Sequence, residues 1–483
     1  MAAEKQPGKK QAAHKNNPVG HDTHSRPTPA TLPRATVPAS AAGGVGIRVR
    51  MYRVGFGDFF LLSLPGADGK PLHILIDCGV HAVDLGSIGD AIKDMATVTG
   101  GQLALVIMTH RHADHISGFA TGASVFAGFT VERVWMSWFE NPSNKDAVKF
   151  QNSLTAVASN LQFSLAGLAA TDGEQFLNMA QNATGDLAAV GGKSGNEAAL
   201  DVLHGGFKNQ APVDYYQAGD TPTLPNSLIS AGLTATILGP PIDPDLIAEM
   251  DNKAHQYLAA TPVEDANPKK FDPAFISEVE AYPPEAFQVF TAAEIAKSVA
   301  GNQPNLAVAQ AQNVDNTINN QSLVILFSFK GKTLLFVGDA QWGNWQNFLF
   351  GGALGTAGHE RLTDKAQSIL GNIAFYKVGH HGSTNATPID ALNAMRQDCV
   401  AMCSTQPGAY GKLANNSEVP RTPLIAALEK KTDNEAARSD QVHVPGADNP
   451  IVVQKAAPFG PPGKLPPDFT AGPGGELYVD YNM

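Results

Sequence analysis

The sequence predicts an α/β protein, and three observations lead to this prediction. Short apolar runs bounded by Gly, Pro and Asp residues are typical of strands. These runs come in series at first and then alternate with helix-like segments, which favours an α/β fold. Several of the strands end directly in histidine or aspartate, at the place where open α/β sheets carry their sites. The composition, 43% hydrophobic and 16% charged, is that of a globular chain.

Composition also limits the classes of function. The 483 residues carry a formal net charge of -11, which argues against general nucleic-acid binding, because duplex-binding proteins usually carry a basic stripe. The three cysteines are too few for a disulfide framework. No apolar run approaches the roughly 20 residues that span a bilayer, and no secretory signal is recognisable. We therefore expect a cytoplasmic protein without a membrane segment.

The first part of the chain is expected to hold a tail and then a run of strands. Residues 1–45 are rich in Lys, Pro and Thr and lack apolar periodicity, which predicts a disordered tail. The main domain is expected to cover residues 46–430. Four strands and one helix are predicted at its start: strands at 47–54, 59–64, 73–79 and 103–108, and a helix at 87–95.

The rest of the chain divides into an insertion, a second group of strands and an extension. Residues 138–315 are expected to form a long, mostly helical insertion, with one helix at 153–170. Residues 431–483 are Pro- and Gly-rich and are expected to form an extension. The strands predicted in these last two parts lie at 323–329, 333–337, 373–378 and, at the edge of a sheet, 476–481, with a hairpin turn at 330–332.

The stretch His110-Arg111-His112-Ala113-Asp114-His115 directly follows the fourth predicted strand. In extended chain, His110 and His112 point to the same side, so both imidazoles can bind one metal ion. Asp114 and His115 follow once the chain has begun to turn, so they can face a second ion. Imidazole and carboxylate are usual ligands of Zn²⁺ and similar ions.

Metal-ligating residue types also stand at the ends of three other predicted strands. Asp77 ends the third strand, Asp339 follows the strand at 333–337, and His380 and His381 follow the strand at 373–378. A single aspartate at a strand end is usually a turn or capping residue. Four such ends in one chain instead indicate strand ends that converge on a binuclear metal site.

Five motifs carry a resemblance to a known family. They lie at 54–58, 74–79, 109–115, 334–340 and 377–383, with the sequences VGFGD, ILIDCG, THRHADH, LLFVGDA and KVGHHGS. Their sequences and order resemble those of metallo-β-lactamase-fold hydrolases, and are most similar to the subgroup of the DNA-uptake competence proteins and their free-standing relatives. The resemblance covers about residues 47–140 and 315–430.

The resemblance implies a four-layer αββα sandwich with metal ions at one edge of the two sheets. It also implies a role for each matched residue. His110 and His112 would bind the first ion, Asp114 and His115 would bind the second, and Asp339 would bridge both. His380, or His381 as its substitute, would complete the coordination of the second ion, Asp77 would orient a ligand imidazole, and Asp58 and Ser383 would lie near the cleft. The family's further histidine has no clear counterpart here, and only His204 and His255 lie in that interval. The membrane channel of the competence proteins is absent, so DNA uptake does not carry over.

We therefore expect a metal-dependent hydrolase with two Zn²⁺ per chain, or Mn²⁺ in their place. A hydroxide that bridges the ions would attack a phosphodiester or, as a second choice, a carboxylic ester or lactam. Asp114 would hold the hydroxide and pass a proton, and His381 or Ser383 would bond a substrate oxygen. The alternative is a catalytically weak metal-binding scaffold that presents the insertion to a partner protein; a core without metal is the third reading.

The insertion also bears on the choice of substrate. It lies between the histidine motif and Asp339, so both its ends return to the catalytic edge and it can cover the cleft as a lid. Its acidic, Pro-interrupted stretch at 262–284 would repel a long polyanion. We therefore expect a small or partly shielded substrate rather than long duplex DNA.

Overall fold

The computed structural model describes residues 46–81, 87–151, 195–257, 317–409, 418–440, 468–472 and 477–483. The predicted tail, the predicted helix at 153–170 and the acidic stretch at 262–284 lie outside these residues. The described part of the chain forms a mixed α/β structure with two sheets.

The larger sheet has eight strands in the order β13-β14-β1-β2-β3-β4-β5-β6. Strands β1 to β3 pair antiparallel, whereas β3 to β6 run parallel to one another. The strands are β1 Arg48–Tyr52, β2 Phe59–Pro65, β3 Pro71–Cys78, β4 Gln102–Ile107, β5 Thr130–Ser137, β6 Val213–Tyr216, β13 Phe469–Ala471 and β14 Tyr478–Asn482.

The smaller sheet has six strands in the order β12-β11-β10-β9-β8-β7. Strands β7, β8 and β9 pair antiparallel, and β9 to β12 are parallel. These strands are β7 Thr234–Gly239, β8 Val324–Phe329, β9 Lys332–Phe336, β10 Phe375–Lys377, β11 Val400–Cys403 and β12 Ala436–Arg438. The predicted hairpin at 330–332 is confirmed: Lys330 and Gly331 both have positive φ, as a two-residue turn between antiparallel strands favours.

Ten α-helices connect the described strands: α1 Ile88–Thr99, α2 Ala113–Thr121, α3 Ala123–Phe126, α4 Gly195–Asp201, α5 Asn226–Ala231, α6 Pro244–Ala248, α7 Trp342–Phe350, α8 Asp364–Leu370, α9 Ile389–Ala394 and α10 Thr422–Lys431. The predicted helix at 87–95 is α1, and it begins where the Ser87 side chain accepts a hydrogen bond from the Asp90 backbone N–H. Among these helices, none combines the length and the apolarity that crossing a membrane requires.

Three apolar cores hold the sheets and helices together. Ile76 of β3 and Phe336 of β9 belong to one core that takes side chains from both sheets. Their neighbours Leu75 and Leu335 point the opposite way, into two further cores shared with helices. This alternation is the period of two expected of strands. Each sheet therefore packs one face on the other sheet and one face on helices.

Two expected boundaries differ from the structure. Strands β6 and β7 lie inside the predicted insertion, yet each extends a main sheet. Strands β12 to β14 lie in the predicted extension but also belong to the sheets, and β14 pairs with both β1 and β13 rather than forming the edge. The four-residue β6 and the three-residue β12 and β13 are too short to give a strand pattern, so pairing with their neighbours defines them.

The topology brings the predicted site to one edge of the fold. The parallel strands β3 and β4 are neighbours in the larger sheet, and β9 and β10 are neighbours in the smaller one. Strand β2 runs antiparallel to β3, so Asp58, just before β2, lies beside the carboxyl end of β3. The Leu323 backbone N–H donates to the Thr109 carbonyl at 3.0 Å and joins the two sheets at this edge.

Close packing at Gly79 sets the position of α2. A Cβ atom added to Gly79 would lie 2.3 Å from the backbone nitrogen of His115. We expect Gly79→Ala to displace the start of α2 and to lower the free energy of unfolding by about 1–3 kcal/mol, the usual cost of overpacking. Urea denaturation measures this change.

Gly89→Ala is the matched control for this prediction. A Cβ atom there would come no closer than 3.6 Å, to the Ser87 Oγ atom. Alanine favours helix over glycine by about 1 kcal/mol, so this variant is expected to be neutral or slightly stabilised. Equal stability of the two variants would contradict the role given to Gly79.

Candidate metal centre

Asp77 is the anchor of the site. Its carboxylate accepts hydrogen bonds from the Thr109 backbone N–H (2.8 Å), the Thr109 hydroxyl (2.7 Å) and the His115 Nδ1 atom (2.8 Å). The Thr109 oxygen in turn lies 3.1 Å from Nδ1 of His110. Asp77 thus fixes one imidazole directly and a second through Thr109, as the partners of metal-binding histidines do.

Four buried side chains converge beside this anchor. Their ligand atoms all lie within 4.8 Å of one another, and they belong to Asp114, His115, Asp339 and His381. The Nε2 atom of His115 is 3.1 Å from Oδ2 of Asp339. The Nε2 atom of His381 is 3.2 Å from Oδ2 of Asp114 and 3.4 Å from Oδ2 of Asp339. We call these four residues the outer group.

The chemistry of the outer group fits a divalent cation. In a tetrahedral site with bonds of about 2.0–2.1 Å, neighbouring ligand atoms are about 3.3 Å apart. The observed separations of 3.1, 3.2 and 3.4 Å match that spacing. Nδ1 of His115 donates to Asp77 and Nδ1 of His381 donates to the Ser404 carbonyl at 2.9 Å, so each ring turns Nε2 toward the group.

A second pair of imidazoles lies next to the outer group. The Nε2 atom of His110 is 3.1 Å from Nδ1 of His112, again the spacing of two ligands on one ion. The Nδ1 atom of His110 faces the hydroxyls of Thr109 and Ser322. Arg111 stands between the two imidazoles in sequence, and Glu140 binds its guanidinium in a bidentate pair with distances of 2.9 and 2.6 Å.

The structure exchanges the places expected for His380 and His381. His381 belongs to the outer group, whereas His380 does not. Both residues have left-handed backbone, with φ of 44° and 51°, so the chain turns sharply and returns the second imidazole toward Asp114. Nδ1 of His380 instead bonds Ser383 at 2.8 Å and Asn385 at 3.0 Å. Its backbone N–H donates to Oδ1 of Asp339 at 3.1 Å.

The remaining predicted residues fall in three places. Ser383 contacts His380 rather than the outer group. Asp58 lies behind that group, 3.7 Å from Nδ1 of His115 and 3.6 Å from Nδ1 of His381. Neither of the two histidines between the histidine motif and Asp339 joins the site. His204 is exposed, with its ring centroid 6.4 Å from that of Tyr215, and His255 stacks on Trp342 and forms an ion pair with Asp390.

Three residues of the site were missed at the level of sequence. Lys377 forms a buried ion pair with Asp58, Ser322 accepts a hydrogen bond from the Asp339 backbone N–H at 3.0 Å, and Glu140 holds Arg111. Lys377 had a usable signal, because a lysine within the apolar strand directly before Gly379 requires a buried partner. Ser322 and Glu140 lie in unremarkable sequence and are found only through tertiary contacts.

The four imidazoles of the site fall into two pairs whose pKa values shift in opposite directions. Burial would lower the pKa of His115 and His381, but the neighbouring carboxylates outweigh it; they raise the pKa of His115 well above its usual range and that of His381 to about 10. At His110 and His112 burial prevails, helped by the charge of His115, and the pKa of His112 falls to about 4. One pair of imidazoles is therefore cationic without metal and the other is neutral.

A scan against protein-family models and a search of curated proteins both return no match for this chain. Assignments of residue roles therefore depend on the geometry of the site itself.

The divided site predicts how the stability of the metal-free protein depends on pH. His381 and His115 have raised folded-state pKa values, so the stabilisation from each is complete below the unfolded pKa of about 6.5 and is lost at higher pH. For His381 this loss extends to about pH 10. His112 has a lowered pKa, so stability also falls from about pH 6.5 toward 4. We expect the melting temperature, measured in chelator, to be highest near pH 6.5.

The His381→Gln variant tests the alkaline side of this profile. Removal of the imidazole should flatten the loss of melting temperature between pH 7 and 10, because one proton-binding group of the folded state is gone. His204→Gln, which changes an exposed histidine, should leave the profile as in the parent protein. A parent protein whose stability rises steadily from pH 7 to 10 in chelator would contradict the prediction.

Proposed function

We propose that this protein is a metal-dependent hydrolase of the metallo-β-lactamase type that acts on a phosphodiester or a related ester. The observation that carries the proposal is the outer group, in which two buried carboxylates and two buried imidazoles converge at ligand spacing. Groups of this kind are costly to bury without a cation to offset the carboxylates. The proposal thus explains why the chain places them together.

The architecture supports the same proposal. A core between two sheets, with helices on the outer face of each, is what an αββα sandwich would produce. In such a sandwich the site lies where the carboxyl ends of strands from both sheets meet. The outer group has this origin, since Asp114 and His115 follow β4 while Asp339 and His381 follow β9 and β10.

The proposed roles follow from the contacts. Asp114, His115, Asp339 and His381 would hold one ion, and the neutral His110 and His112 would contribute to a second. Zn²⁺ suits the imidazoles and Mn²⁺ suits the carboxylates. Bound there, the metal lowers the pKa of water toward about 7 and polarises the substrate oxygen.

One residue of the outer group and one residue beside it would orient the attacking water and the substrate. Asp114 is charged, because the His381 hydrogen bond and the His115 charge overcome its burial and lower its pKa. A carboxylate with so low a pKa is a weak proton acceptor, so Asp114 would hold the ion and orient the attacking water by a hydrogen bond rather than take its proton. His380 lies next to the group without joining it: Ser383 and Asn385 hold its Nδ1 atom, and its Nε2 atom lies 3.4 Å from the amide nitrogen of Asn319. We therefore assign His380 to the substrate side of the site. Contact with the substrate, which was first expected of His381, is thus assigned to His380.

Metal content and turnover, measured on the same preparations, test the proposal. The purified protein should contain Zn²⁺ or Mn²⁺ and should hydrolyse a chromogenic phosphodiester, and chelator should abolish the rate. His381→Ala and Asp339→Asn should lose metal and lower the rate by about 100-fold or more, since this stabilisation is worth several kcal/mol. His380→Ala should lower the rate while retaining metal.

His204→Ala is the control for the histidine variants, and Asp68→Asn, in an exposed turn, is the control for Asp339→Asn. Both should keep full metal and full rate. A protein that binds the ions tightly but turns over no substrate in a panel of phosphodiesters, nucleotides, carboxylic esters and lactams would instead favour the metal-binding scaffold. A protein that takes up neither ion would rule out both functions.

A further inference from the structure

A second group of metal-ligating atoms lies directly behind the outer group. It consists of Asp58, Asp77 and His115, all buried, and we call it the inner group. His115 belongs to both groups: its Nδ1 atom faces the inner carboxylates and its Nε2 atom faces Asp339. An ion bound by the inner group would take Nδ1 of His115 and would so displace the hydrogen bond from this atom to Asp77, which holds the ring in place.

The Lys377 ammonium lies against one residue of the inner group, Asp58. It forms an ion pair with Oδ2 of Asp58, donates to the Gly338 carbonyl at 3.0 Å and lies 3.6 Å from Oδ1 of Asp339. The first two oxygen atoms are in close contact with the ammonium, whereas that of Asp339 lies beyond hydrogen-bond distance and acts through its charge. Carboxylate and carbonyl oxygens are also the ligands that hard cations such as Mn²⁺ prefer.

Lys377 keeps its charge in this environment. Its side chain is only 2% exposed. Burial would lower the pKa of Lys377, but the carboxylates of Asp58 and Asp339 outweigh it and raise that pKa above its usual value. The buried ion pair therefore places a positive charge directly against the Asp58 carboxylate of the inner group.

We propose that Lys377 is a built-in cation of the inner group, which excludes a metal ion from Asp58 and Asp77 and so preserves the hydrogen bond from Nδ1 of His115 to Asp77 that holds Nε2 toward the outer group. Lys377 is thus a positioning residue. The inference rests on the proposed function for the identity of the outer group as the metal site. It gives the buried ion pair across the two sheets a purpose beyond stability, since Lys377 ends β10 and Asp58 precedes β2.

The test compares Lys377→Met with the parent protein by equilibrium dialysis against Mn²⁺. Methionine keeps the length of the apolar stem but removes the ammonium, so its place becomes free for an ion. We expect Lys377→Met to bind one more Mn²⁺ per chain than the parent. We also expect its melting temperature to fall by several degrees in chelator and to recover when Mn²⁺ is added, a rescue that loss of packing alone would not give.

Two further variants make the result specific. Lys377→Met combined with Asp58→Asn should lose both the extra ion and the dependence of stability on Mn²⁺, because the inner carboxylate is gone. Lys332→Met, which removes an exposed lysine on the adjacent strand β9, should behave as the parent. If Lys377→Met does not fold in chelator, the expected results are folding in Mn²⁺ and folding of the double variant in both conditions.

Two results would overturn the inference. One is Lys377→Met with the same number of ions as the parent and no recovery in Mn²⁺. The other is a double variant that is as unstable as Lys377→Met alone, because the unpaired Asp58 carboxylate would then not be the cause of the instability. Failure of the proposed function looks different, because the parent protein itself would then bind no ion at the outer group.

Discussion

The burial of negative charge at the junction of the two sheets is the constraint on which the structure depends. Among the residues that the structure describes, four carboxylates lie there, none more than 2% exposed: Asp58, Asp77, Asp114 and Asp339. An uncompensated buried charge costs several kcal/mol, so cations must lie close by. Lys377 supplies one, and without metal His115 and His381 supply two more by holding protons. A divalent ion would displace these protons, which links metal binding to pH.

Neither sheet can build this charge balance alone. The larger sheet carries three of the four carboxylates and His115, whereas the smaller sheet carries Asp339, His381 and Lys377. The site is therefore complete only when the sheets pack through their shared core, and the contact between Leu323 and Thr109 ties them together at its edge. Folding and metal binding are for this reason expected to stabilise each other.

Much of the site follows from sequence, because ligand types at strand ends are a local signal. The spacing from His110 to His115 and the positions of Asp77 and Asp339 placed these residues at one edge. The choice between His380 and His381 did not follow, since it depends on two consecutive left-handed residues. The sequence also could not predict strands β6 and β7 or the contacts of Lys377, because contacts between distant segments of the chain define them.

The central claim is that one ion binds between Asp114, His115, Asp339 and His381. Anomalous diffraction at the zinc edge, from crystals of the protein equilibrated with Zn²⁺, tests it most directly. We expect a peak within about 2.0–2.2 Å of Nε2 of both histidines and of one oxygen of each aspartate. A peak bound by His380 in place of His381, or no peak at this junction in a Zn²⁺-saturated crystal, would contradict it.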